Sequence, residues 1–149
     1  MDTGYKTLTV VNSTGSWSNA TVARLNSSNN QRATLSWNNS TSNFSVSGFD
    51  FGLPDNINIL GIEVLIERRS SSGSYAMRAD ARISWNNGSN YTSYKNGSNY
   101  QSTTDANQIL GGPTDLWGRA WTKAEFDNFR LDIRGNAIGT FANSEIDYI

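Results

Sequence analysis

The chain has 149 residues, 36% apolar and only 17% charged, with a net charge of −1 and neither histidine nor cysteine. That length suits one domain, residues 1–149, with a core of its own; scattered Lys and Arg leave no electrostatic footprint for nucleic acid, and no apolar run long enough to span a membrane occurs. Missing thiols exclude disulfides and thiolate metal sites, and missing imidazole removes the commonest general acid–base and nucleophile-activating group.

The polar share sits in 19 Asn, 20 Ser and 13 Thr. These residues compete with the helical backbone for hydrogen bonds and favour strands, turns and caps. At the N-terminus, Met1 to Tyr5 has neither the basic nor the apolar region of a signal peptide.

In chain order, Lys6–Val11, Thr21–Leu25, Gln31–Trp37 and Phe44–Phe51 read as weak strands. Pro54-Asp55 ends the Phe49–Leu53 run. Leu60 to Arg68 is a stronger strand, with Ile62, Val64 and Ile66 on one face and Glu63 and Glu67 on the other. From Tyr75 to Trp85 the alternation is clearest: Met77, Ala79, Ala81 and Ile83 oppose Arg78, Asp80, Arg82 and Ser84. Such a period predicts a sheet with one buried and one wet face.

Asn87-Gly88 and Asn96-Gly97 are hairpin signals, because both residues accept positive φ, and Tyr91–Lys95 reads as a short strand between them. Gly111-Gly112-Pro113 breaks the chain. Thr122 and Glu125 form a capping box and Trp121 and Phe126 a hydrophobic staple, which predicts one helical turn near 122–128. Phe129, Leu131 and Ile133 begin another strand, and Ile146 and Tyr148 a last one. Many short strands separated by turns predict an all-β fold, an antiparallel, jelly-roll-like β-sandwich.

No catalytic constellation emerges. Asp50, Asp55 and Asp115 read as turn caps and solvated charges, and no calcium-loop motif is present, so neither a metal nor a cofactor is expected. Arg68-Arg69, with Arg78 and Arg82, pairs best with Glu63, Glu67 and Asp80 across a wet sheet face. Among the aromatics, Trp85 and Trp121 read as core. Tyr91, Tyr94 and Tyr100 lie among Asn, Ser and Gly and are the candidates for an exposed glycan-stacking platform. Nine N-x-S/T motifs, at Asn12, Asn19, Asn26, Asn38, Asn39, Asn43, Asn87, Asn90 and Asn96, are candidate N-glycosylation acceptors.

Four stretches carry a resemblance. Phe49-Asp50-Phe51-Gly52-Leu53-Pro54 followed by Gly61-Ile62-Glu63-Val64 is similar to "GFxIP…GIEV". Ser84-Trp85-Asn86-Asn87-Gly88-Ser89-Asn90-Tyr91-Thr92 resembles "SWDGGxSWT", and Leu110 to Thr122 resembles "LGGxTDxWGRxWT". The opening Asp2-Thr3-Gly4-Tyr5-Lys6 is similar to a "DTGFK" start. Together they resemble a β-sandwich domain of bacterial surface proteins and phage structural proteins.

That resemblance implies an extracellular or virion location and no catalytic residues. It also implies a last strand that continues past Ile149, so that a shortened strand would leave an edge open to a neighbour. Ser84–Tyr91 further resembles an Asp-box hairpin in which Asn86 replaces the aspartate. The expected function is a non-catalytic structural module, a decoration, fibre or filament subunit whose partners are copies of itself or other structural proteins. The alternative is a module of an adhesion protein that binds surface glycans.

Overall fold

A computed structural model describes residues 3–149, so Asp2 of the opening motif lies outside the described residues. Nine strands form: β1 Val10–Ser13, β2 Trp17–Ser18, β3 Ala33–Leu35, β4 Thr41–Ser47, β5 Ile62–Ser70, β6 Ala76–Ser84, β7 Ala106–Gly112, β8 Arg130–Ile138 and β9 Ser144–Tyr148. They build two antiparallel sheets, ordered β1-β4-β8-β6 and β2-β3-β9-β5-β7. From β3 to β9 consecutive strands alternate between the sheets, which is the winding of a jelly roll. The eighth position of that roll is taken by residues 95–100, which bridge to β6 at Ala81–Lys95 and Met77–Tyr100.

The apolar half of the period-two alternation packs as expected. Met77, Ala79, Ala81 and Ile83 of β6 meet Ile62, Val64 and Ile66 of β5, and Phe44, Leu131, Ile133 and Ile146 complete the buried layer. Fully burying each large aliphatic side chain contributes roughly 1.5–3 kcal/mol. The single helical turn near 122–128 is α2, Lys123–Phe126, an α-helical turn following α1 at Val22–Leu25. At its start the Thr122 N–H donates to Glu125 Oε2 at 2.8 Å. The staple rings of Trp121 and Phe126 stand 5.6 Å apart and join Phe49, Phe51 and Phe129 in an aromatic cluster.

Several expectations need correction. Thr21–Leu25 is not a strand: α1 forms there because Val22 and Leu25 are three apart, and Leu25 is driven into the core. Tyr91–Lys95 makes only the single bridge at Lys95. Asn87 and Gly88 do adopt positive φ, 56° and 90°, but Asn96 and Gly97 do not. Gly97 is instead a point of close approach, since a Cβ there would sit 2.2 Å from the Ala79 carbonyl oxygen.

β9 is not an open edge; it lies between β3 and β5. The Gly111-Gly112 break turns out to be the end of a full strand, β7. Arg68 leaves the expected surface cluster and turns inward, 4% exposed, donating to Gln108 Oε1 and Ser98 Oγ with Tyr100 under its guanidinium. Among the described residues it has no carboxylate partner, and burial lowers its pKa.

Candidate recognition surface

The polar face of β6 and β8 is only partly wet: the Tyr91 and Tyr94 rings lie across it against Arg82 and Arg134, whose side chains stay 31% and 27% exposed, and Asp80, in the middle, is 0% exposed. Its carboxylate accepts from Arg78, from Arg134 Nη2 at 2.7 Å, from Asn136 Nδ2 at 3.0 Å and from the Gly97 N–H at 3.0 Å. Burial alone would push this carboxyl up, but the bonds from Arg134 and Arg78 outweigh it and hold it below the usual aspartate value.

One strand over, Asp132 Oδ2 accepts from Arg82 Nε at 2.7 Å, Tyr94 OH at 2.8 Å and Asn43 Nδ2 at 2.9 Å. Burial, reinforced by the Asp132 hydrogen bond, pushes the Tyr94 phenol up to about 12.

This network decides the fate of the three tyrosines. Arg82 lies 4.1 Å over Tyr91, Arg134 lies 3.9 Å over Tyr94, and Arg68 lies 4.6 Å over Tyr100. All three rings are half-buried, so they do not form the exposed platform expected of them. Their faces are already used by guanidinium groups.

Exposed aromatic surface lies elsewhere, at the end of the sandwich where the β3–β4, β5–β6 and β8–β9 connections meet. Trp37, in a 3₁₀ turn at Trp37–Asn39, stands 4.9 Å from Phe141 with the rings tilted by 55°. Phe141 is 71% exposed and sits at φ +68°, a left-handed conformation that bulky side chains rarely adopt. Tyr75, also exposed, lays its ring against the backbone of Gly139.

Amides and hydroxyls brace this end. The Asn143 Oδ1 accepts from the Trp37 N–H at 3.1 Å, the Ser71 Oγ accepts from the Asn143 N–H at 2.8 Å, and Thr41 donates to Asn136 Oδ1. Sequence reading missed Phe141, whose one signal is an aromatic residue stranded in Gly139-Thr140-Phe141-Ala142-Asn143, where no alternation buries it.

The opposite end holds a pocket of about 420 Å³ between the sheets. Phe49, Phe51, Phe126 and Phe129 line it with Val64 and Leu131, and Lys6 and Glu63 stand among its polar lining. Asp50 caps the Gly52 N–H, and Asp115 caps the Trp117 N–H while pairing with Lys95 at 2.7 Å. Neither carboxylate belongs to the acidic cluster found among the described residues. In that cluster, carboxylate oxygens of Glu67, Asp105 and Asp147 come within 4.8 Å of one another.

Of the sequon asparagines, Asn12, Asn19, Asn38, Asn39, Asn87, Asn90 and Asn96 are exposed, and Asn26 is half-buried. Asn43 is half-buried with its amide nitrogen donating to both Asp132 and Tyr94, so it is not free to accept a glycan. Trp17, Trp117 and Trp121 are buried, while Trp85 is half-buried with Arg119 over its ring. Comparison with protein-family models, curated proteins and solved structures finds no match to this chain.

Proposed function

We propose that this chain is a non-catalytic recognition domain that binds carbohydrate at the loop end carrying Trp37 and Phe141. The observation behind this reading is an aromatic side chain held outward at a conformational cost. Left-handed backbone at a residue with a Cβ costs roughly 1–2 kcal/mol, and burying Phe141 would be the usual return for such a cost. Phe141 is instead the most exposed of the large apolar side chains among the described residues. Strain of this kind persists where the surrounding structure holds a group ready for a partner.

Sugars present apolar C–H faces ringed by hydroxyls, and the Trp37–Phe141 pair offers an apolar surface beside Asn and Ser side chains. A domain of this kind works on a cell or particle surface.

The test is affinity electrophoresis through a panel of soluble polysaccharides, with Trp37→Ala and Phe141→Ala beside the unaltered chain. Each substitution should weaken retention about tenfold or more, as expected for an aromatic anchor worth roughly 2 kcal/mol. Retention unchanged by both substitutions would sink the reading.

A second reading, a subunit of an extracellular or virion assembly, is favoured by the β7 edge. β7 pairs with β5 on one side only, and Ile109 stands 53% exposed in its middle. An edge strand of this kind can accept a strand from a neighbouring chain. Sedimentation at high concentration separates the two readings: self-association abolished by Ile109→Lys supports assembly, and a strictly monomeric chain counts against it.

A further inference from the structure

We propose that Glu67, Asp105 and Asp147 form a calcium site that ties three distant parts of the chain together. The three acids come from β5, from the segment entering β7, and from β9, and the β9 partner is placed by a bulge opposite Glu67 and Arg68. Their oxygens lie within 4.8 Å of one another, and Asp147 is 1% exposed. Like charges this close repel strongly unless something between them carries the opposite sign.

Hydrogen bonds answer part of that repulsion. The N–H groups of Asn29 and Asn30 donate to Asp147, at 3.4 and 2.8 Å, and Arg32 places Nε and Nη2 on the two oxygens of Asp105. Glu67 receives none of this. Its Oε2 is sealed from solvent and accepts no hydrogen bond among the described residues. A buried carboxylate oxygen without a donor is costly and rare, and it points to a partner of another kind.

Charge supports the same conclusion independently. The three carboxylates carry three negative charges and Arg32 one positive, while the neighbouring Glu145 is matched by Arg69 at 2.5 Å. Two negative charges remain, which is what a divalent cation cancels. The ligands are all oxygen, whereas zinc prefers nitrogen and sulfur donors. Calcium binds oxygens at about 2.3–2.6 Å in a flexible shell of six to eight, so two ligands on opposite sides of one ion stand roughly 4.6–5.2 Å apart. Magnesium needs a tighter octahedron. Water would complete the calcium shell.

This inference is independent of the carbohydrate reading. It is tested on the full chain after chelator treatment, by calorimetric titration with calcium chloride and by thermal melts with and without calcium. One ion per chain should bind, and Tm should rise by about 5 °C at saturating calcium, with magnesium at the same concentration giving no comparable rise.

Glu67→Gln keeps the shape of the side chain and should weaken calcium binding at least tenfold, whereas Glu63→Gln, farther along the same strand and outside the cluster, should leave it unchanged. No calcium binding by the unaltered chain, or equal binding by Glu67→Gln, would overturn the proposal. If the unaltered chain binds no calcium and Glu67→Gln raises the metal-free Tm, the repulsion is real but no ion relieves it, and the site is refuted.

Discussion

The Gly97 N–H donates to the Asp80 Oδ1 at 3.0 Å. Through that bond the 95–100 segment is fastened along the edge of β6, and Asp80, on the face that alternation marks as wet, is fully buried.

A side chain at 97 has no room. A Cβ there would meet the Ala79 carbonyl at 2.2 Å and Gln108 Oε1 at 2.3 Å. Gly97→Ala should therefore destabilise the fold by about 2 kcal/mol, through overpacking. Urea unfolding measures this, and amide exchange should show protection lost first at Lys95 and Tyr100, whose N–H groups bond to β6.

Acid should weaken the same region. Because the folded Asp80 carboxyl lies below its ordinary value, its contribution is present above the unfolded aspartate pKa of about 3.9 and fades as pH falls through the folded value. Stability should hold near neutrality and drop below about pH 4. Asp80→Asn should cost about 3 kcal/mol at pH 7, because it leaves Arg78 and Arg134 without their partner. The variant's stability should also fall less steeply with acid, which denaturant midpoints across pH 2–7 would reveal.

Alkali acts one strand away with the opposite sign. Tyr94, at about 12 when folded and about 10 when unfolded, contributes stability that is complete below pH 10 and is lost as pH rises through 12. Ultraviolet titration at the phenolate band should show a step near pH 12, and Tyr94→Phe should remove it. The substitution should cost about 1 kcal/mol for the lost hydrogen bond to Asp132.

At the loop end, stability and recognition should part company. Phe141→Gly relieves the left-handed strain and loses little buried area, so unfolding free energy should stay level or rise by up to about 1 kcal/mol. Polysaccharide retention should nevertheless fall. A variant that is destabilised and still retained would argue that Phe141 serves packing alone.

The strands that alternate over seven or more residues, β5, β6 and β8, were legible because each has one face against the core. Thr21–Leu25 was not, since over five residues a helical i, i+3 pair and a strand face look alike. Arg68 shows another limit: alternation puts it on the inward face with Ile62, Val64 and Ile66, but its charge reads as surface, and the Ser98 and Gln108 side chains that receive it lie 30 and 40 residues away. The aromatic candidates failed for a related reason. Tyr91, Tyr94 and Tyr100 have the polar neighbours of an exposed platform, but arginines distant in sequence cover them. Trp37 and Phe141 meet only after the jelly roll brings residues 104 apart in sequence into contact.

β9 occupies the middle of its sheet, with β3 on one side and β5 on the other. On a ribosome this sets an order of events. β3 and β5 emerge more than a hundred and roughly seventy residues before the strand that joins them. Until residues 144–148 clear the exit tunnel, β3 has no long partner and β5 has only β7. The five-stranded sheet therefore closes late, through contacts of long sequence separation, a route that is slow and leaves strand edges open while it lasts. The charged residues of β5, Glu63, Glu67, Arg68 and Arg69, keep its waiting edge hydrated rather than adhesive.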